Sequence, residues 1–266
     1  SEHDNVNVEI QSPTSATSYD EQVNMIETAL GNPGIDAVVI APQQSTSTAT
    51  LVDTATKPVV ALDTDFTSDK KACFVGTGNE DAALNGGKAV AEACKALGKD
   101  KPTAVIIAGV QGDQTNTARM NGYKAGVEEA GGTFLSDEVQ YADATADRAT
   151  TAMEAIMQTH PEGIAIICAN NDDMAMAAAR AAQGHDAYKN TIFLGFNGDR
   201  AACEAILAGQ MTMSVAQMAY EMGYKAVETM VQVLDGETVD EFVDSGSDVV
   251  TPDNAQERLD TLKTLS

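Results

Sequence analysis

The chain has 266 residues, 43% of them hydrophobic, enough for a large core and, on length alone, for one or two domains. Its 40 acidic and 16 basic residues give a formal net charge of −24, which argues against binding a phosphate backbone or an anionic membrane surface. No apolar run approaches the roughly 18 to 20 residues that span a bilayer, and no signal-peptide pattern opens the chain, so the expectation is a soluble chain, mature or cytosolic.

Short apolar runs alternate with helical patterns from end to end. Residues 6–11 (VNVEIQ) alternate like a strand, and SPTSATS is a turn-rich loop before a helix with Val23, Ile26 and Leu30 on one face. Residues 35–40 (IDAVVI) read as a second strand, 46–55 as a short helix, and 58–62 (PVVAL) as a third strand ending on Asp63. After a strand at 73–75, a helix with Leu84, Ala91 and Leu97 on its inner side runs to Gly98, a suitable C-terminal cap.

A second series follows. Strands are expected at 103–108 (TAVIIA), 133–139, 164–168, 191–195 and 211–216, with helices at 116–130, 146–159, after Asn170, at 200–208 and 218–234, and a terminal helix at 253–265. Alternating βα units imply parallel sheets with right-handed crossovers, and two sheets fit this number of units better than one.

The organising stretch is 163–182, GIAIICANNDDMAMAAARAA. Its apolar run suits a parallel strand buried on both faces, and Asn170, Asn171, Asp172 and Asp173 can cap the following helix and place carboxylates in its first turn. That leaves a carboxamide to spare, and ligands of open α/β sheets bind beyond the carboxyl ends of the strands, so Asn171 is the first candidate site residue. Similar polar residues follow other strands: Asp63, Thr64 and Asp65; Gln111 and Asp113, next to Val110; Asn197 and Asp199. Each alone suits helix capping, but as a set they suit a polyhydroxylated ligand, whose hydroxyls both donate and accept.

Other signals are bland. Cys73, Cys94, Cys168 and Cys203 lack metal-ligand spacing and read as buried free thiols, and His3, His160 and His185 read as surface residues. Gly86-Gly87 and Gly131-Gly132 do not follow strands in a phosphate-binding pattern, so they read as helix packing and a turn; no cofactor or metal is expected.

The segments IDAVVIAP, PVVALD, Arg119-Met120-Asn121-Gly122-Tyr123, CANNDDMAM, LGFNGD and SVAQ, in this order and spacing, resemble the periplasmic sugar-binding family of the ribose-binding type. The resemblance implies a type I periplasmic binding protein: two Rossmann-like α/β lobes with parallel sheets, joined by a three-strand hinge and closing over a monosaccharide. It implies lobes of residues 1–77 plus 218–246 and 78–217 plus 247–266. It further implies that Asp63 and Arg119 grip sugar hydroxyls from opposite lobes, that Asn171 and Gln217 supply carboxamides, that Phe196 stacks on the sugar ring and that Val110 forms an apolar wall. Asn197 stands where ribose binders carry aspartate, Thr64 where they carry arginine and Ala41 where they carry asparagine, departures that point away from ribose itself.

The family also opens with a strand and helix that nothing here matches, so the expectation is an N-terminally incomplete chain. The implied role is capture of a neutral monosaccharide or polyol by a monomer without catalytic residues or nucleic-acid partner. Delivery would be to the permease of an ABC transporter, a chemoreceptor or a sensor. Its place would be periplasmic or extracellular, with a lipid anchor if the source is Gram-positive. Two alternatives remain open: the effector domain of a LacI-type regulator or sensor, and a magnesium-dependent phosphatase using Asp63-Thr64-Asp65 as a DxD loop with Asp172-Asp173 as a second acidic pair.

Overall fold

A computed structural model describes residues 6–15 and 18–265 and divides them into two units. One comprises the described residues up to Gly76 together with Ala219–Ser245; the other comprises Thr77–Met218 and the described residues from Gly246 onward. The chain therefore passes between units three times.

In the first unit, β1 (Val38–Ile40), β2 (Val59–Leu62), β3 (Lys71–Gly76) and β10 (Phe242–Asp244) form a parallel sheet in that order. Adjacent strand residues point to opposite faces. Val59 and Ala61 accordingly meet Ile26 of α1 (Tyr19–Gly31) and Val52 of α2 (Ser45–Val52), while Val60, Cys73 and Val75 meet Met222, Ala226 and Met230 of α8 (Ala219–Leu234). The three α8 residues recur every four positions, the spacing of one helical face. Residues 6–11 are not a strand. They pair with no described strand and Ile10 is 89% exposed, because alternation supplies a face but not the ladder partner that a strand requires.

In the second unit the sheet order is β11-β9-β8-β7-β4-β5, with β6 also on β4, where β4 is Thr103–Ala108, β5 Thr133–Phe134, β6 Gln140–Tyr141, β7 Ile166–Ala169, β8 Ile192–Asn197, β9 Met213–Gln217 and β11 Ser247–Val250. All pairs are parallel except β11 with β9. The strand expected over 133–139 is broken by a 3-10 turn at Ser136–Glu138, so of that span only Thr133–Phe134 is strand, and pairing with β4 resumes just beyond it at Gln140–Tyr141.

Both faces of this sheet are covered. Ala104, Ile106, Cys168, Leu194 and Phe196 pack on α3 (Asn79–Ala96) and α4 (Gln114–Glu129). Val105, Ile107, Ile167 and Phe193 pack on α5 (Ala146–Thr159), α6 (Asp172–Ala182), α7 (Arg200–Leu207) and α9 (Ala255–Thr264). Continuous apolar strand sequence is thus explained by burial on two sides. All four cysteines are buried and free, and Leu97, expected on the inner face of α3, is instead its exposed C-cap, followed by Gly98 at φ +81°.

From β4 the chain first goes to β5 and β6 on one side and then to β7 on the other, which makes the boundary of β4 and β7 a topological switch point. Close packing of α3 on α4 shapes that end. A Cβ on Gly122 would lie 2.1 Å from the Glu80 carbonyl oxygen, and one on Gly126 equally near that of Leu84. Gly126→Ala should therefore force the helices apart and lower stability by about 1–3 kcal/mol in denaturant unfolding. Unchanged stability would contradict this packing.

Candidate ligand-binding site

Beyond the carboxyl ends of β4 and β7, buried amides tie the two strands together. Asn170 Nδ2 donates to Asn116 Oδ1 at 2.6 Å, the same oxygen accepts the Gly109 N–H at 2.6 Å, and the Asn170 N–H reaches the Ile107 carbonyl at 3.1 Å. Arg119 lies on this platform, 8% exposed. Its Nη1 donates to the Asn170 carbonyl at 2.9 Å, its Nε donates to Asn79 Oδ1 at 2.8 Å, and its guanidinium carbon sits 3.7 Å from the centroid of the Phe196 ring. Planar donors and cation–π contact fix the orientation of the guanidinium.

The segment from Arg119 to Tyr123 explains itself here. One turn after Arg119, Tyr123 is wholly buried and its hydroxyl donates to the carbonyls of Gly195 at 3.1 Å and Ala169 at 3.4 Å, which holds α4 to β7 and β8. Burial raises its phenol well above the usual pKa, so it remains a donor. Gly122 faces α3 and permits the approach that brings Asn79 to Arg119. Asn79 and Asn116 carried no signal of their own: their roles require the α3–α4 contact and the sheet order.

The ends of β8 and β9 carry a carboxamide pair. Gln217 Nε2 donates to Asn197 Oδ1 at 2.9 Å, while Gln217 Oε1 is buried and accepts no hydrogen bond from any described residue. Asn197 has φ +130° and Gly198 φ +64°, so the strand ends in a sharp turn. Asn197, Gln217, Arg119 and Phe196 therefore lie at the carboxyl ends of one sheet or on the helix covering it.

Other expected residues have different surroundings. Phe196 is wholly buried within the sheet face that meets α3 and α4, and Arg119 covers its ring, so here it supports a guanidinium. Asn171 is the N-cap of α6: Oδ1 accepts the Met174 N–H at 2.9 Å, and Nδ2 donates to the Ala144 carbonyl at 3.2 Å. Its carboxamide is thus not spare. Asp113 and Asp199 likewise cap α4 and α7. Val110 is exposed in the turn after β4.

In the first unit, Asp63 is exposed just past β2 with φ +63°, its N–H donating to the Val75 carbonyl at 3.0 Å. Asp65 pairs with Lys71 and also accepts the Phe66 N–H at 2.8 Å. The second acidic pair of a DxD phosphatase is not available either: Asp172 is wholly buried, accepting from Ser214 and Gly198. Among the described residues no group of three or more metal-ligating side chains converges.

A parallel α/β sheet whose switch point holds a fixed guanidinium and whose next strand ends hold paired carboxamides has the donor and acceptor set of a small-molecule binding protein. A family model described as "Periplasmic binding protein domain" matches residues 1–238, and the chain belongs to that family, which consists of substrate-binding proteins. It is 28% identical over 214 residues to the ribose import binding protein of Bacillus subtilis (strain 168), covering 79% of this chain and 67% of the relative. To the D-allose-binding periplasmic protein of Escherichia coli (strain K12) it is 29% identical over 236 residues, covering 85% and 74%. A solute binding protein of an ABC transporter from Bacillus halodurans C-125, solved with myo-inositol, matches with TM-score 0.77 at 26% identity, covering 91% of this chain and 83% of that one.

Removing the ring beneath Arg119 should be costly. Phe196→Ala empties a closed part of the core and deletes the cation–π contact, for an expected loss of about 3–5 kcal/mol in stability. Chemical denaturation checks this, and a loss near zero would mean that the ring is not a core element.

Proposed function

We propose that this protein is an extracytoplasmic solute-binding protein that captures a neutral monosaccharide or related polyol and delivers it to the permease of an ABC transporter. The observation that carries the ligand class is the acceptor left on Gln217 beside a neutral partner, Asn197, within the unit that also holds Arg119. Buried acceptors need donors, and a ligand hydroxyl is one that can itself accept from a guanidinium. The relatives support the same class: two are named for ribose and allose, and the similar structure holds a cyclitol.

In this reading Arg119 donates to ligand hydroxyls, Asn197 and Gln217 exchange hydrogen bonds with them, and Asp63 accepts from them. Val110 and Asn171 line the approach and Phe196 acts through Arg119. A carboxylate ligand would meet Asp63 with Thr64, not a second arginine, beside it. Neutral hydroxyls avoid that repulsion. The protein would act as a monomer without cofactor, catalysis or nucleic acid, and a lipid anchor would hold it if the source is Gram-positive.

A thermal-shift screen of monosaccharides, cyclitols and sugar acids tests the ligand class, since a ligand at 100 times its dissociation constant adds about 2.7 kcal/mol. Neutral compounds should stabilise and sugar acids should not. Asp63→Ala and Arg119→Ala should each weaken binding at least about tenfold, or roughly 1.4 kcal/mol. Preference for an acidic sugar, or full affinity in both variants, would reject the assignment.

The three chain passages between units also lead us to expect that ligand favours a closed arrangement through contacts with both. Small-angle scattering should then show contraction with saturating sugar. Identical dimensions with and without it would remove the hinge from the proposal.

A further inference from the structure

Asp172 has no part in the site described so far. It opens α6, is wholly buried, and faces the turn after β8: Oδ2 accepts the Gly198 N–H at 2.8 Å, and Oδ1 lies 2.6 Å from Ser214 Oγ on β9. Ser214 Oγ also receives the Gly198 N–H at 3.0 Å. At the next peptide group of the same turn, Arg258 of α9 donates Nε to the Gly198 carbonyl at 3.2 Å, and it donates Nη2 to the Gln217 carbonyl at 2.7 Å. Gly198 cannot be replaced by a side-chain residue here, since a Cβ would fall 2.4 Å from that of Ala216, and Gly195 is needed because its Cβ would fall 2.1 Å from Asp172 Oδ1.

We propose that Asp172 is a positioning residue: through the Gly198 amide and Ser214 it fixes the turn that follows Asn197, with Arg258 bracing the carbonyl side, and thereby sets the aim of the Asn197–Gln217 carboxamide pair. The ligand arm of this inference rests on the sugar-binding reading above. As a carboxylate, Asp172 only accepts, which suits the Gly198 N–H and the Ser214 hydroxyl together. Once protonated it must donate, and Ser214 Oγ is the acceptor beside it, so the Ser214 proton must turn elsewhere and the turn loosens.

The groups facing Asp172 are Ser214 of β9, Asp199 of the turn, Cys203 of α7 and Tyr123 of α4, with Arg258 reaching the same turn. Burial, with a smaller push from Asp199, raises the Asp172 carboxyl from 3.8 to about 7, against the hydrogen bonds from Ser214 and the turn backbone. The folded chain therefore holds this proton more tightly than the unfolded chain. The stability that goes with the proton is complete below pH 3.8 and is lost as pH rises through about 7. Affinity runs the other way: it should be greatest when Asp172 is ionised.

The test compares wild type with Asp172→Asn and Ser214→Ala between about pH 5 and pH 9, over the window set by the raised carboxyl. Asparagine can offer Oδ1 to Gly198 and Nδ2 to Ser214 and so imitates the protonated acid. Relative to wild type it should be more stable at high pH, yet bind D-allose, D-ribose or myo-inositol about tenfold more weakly there, with a flat pH profile. Wild-type affinity should fall on acidification.

In ligand-free 15N NMR spectra, the Gly198 amide and the side-chain amides of Asn197 and Gln217 should titrate together in wild type, stay flat in Asp172→Asn and move in Ser214→Ala. If those amides ignore both pH and substitution, the positioning role is wrong. If they respond while no sugar binds wild type, the sugar reading fails and the positioning role stands. Should Asp172→Asn not fold, titration of wild type and Ser214→Ala decides by the same readouts.

Discussion

The second unit is built around a charge that must be kept nearly dry. Arg119 is almost wholly enclosed, and removing a guanidinium from water costs several kcal/mol unless its donors are matched. The matching partners come from separate parts of the chain: Asn79 from α3, the Asn170 carbonyl from the end of β7 and the Phe196 face from β8. Each depends on a packing choice made elsewhere. Glycines at 122 and 126 let α3 approach α4, and the switch in strand order brings β7 beside β4. The guanidinium is therefore held in one orientation by the protein itself.

Most elements were legible from period and punctuation. TAVIIA, the run before Asn170 and the helix at 146–159 were readable because both faces of the strands are covered and the helix carries an apolar stripe. The short strands Phe242–Asp244 and Ser247–Val250 left no comparable trace. Their residues are mostly exposed or half-exposed, and pairing with β3 and β9 defines them rather than burial. Residues 6–11 show the converse error, alternation without a partner.

Of the candidate site, the kinds of residue at the strand ends were legible, but not their division of labour. Polar residues at strand ends were visible, yet sequence does not say which carboxamide caps a helix and which pairs with another side chain. Asn171 satisfies the Met174 N–H as any N-cap would, and Asn170, its neighbour, carries the network that holds Arg119. Phe196 could be placed by resemblance, but whether its ring meets a ligand or a guanidinium depends on where α4 lies.

Asn197 shows how composition and position act together. It precedes Gly198 and Asp199, and Asp172 lies buried against the same turn. A carboxylate at 197 would place a third acidic group around one short turn, and repulsion would push protons onto the most buried member, Asp172. A carboxamide avoids this and still accepts from Gln217. It also changes the chemistry at this strand end: an aspartate would only accept, whereas asparagine both donates and accepts. The residue at 197 thus sets the hydrogen-bonding character of the strand end and the electrostatics of the buried acid at once, so neither can be altered at this turn without the other.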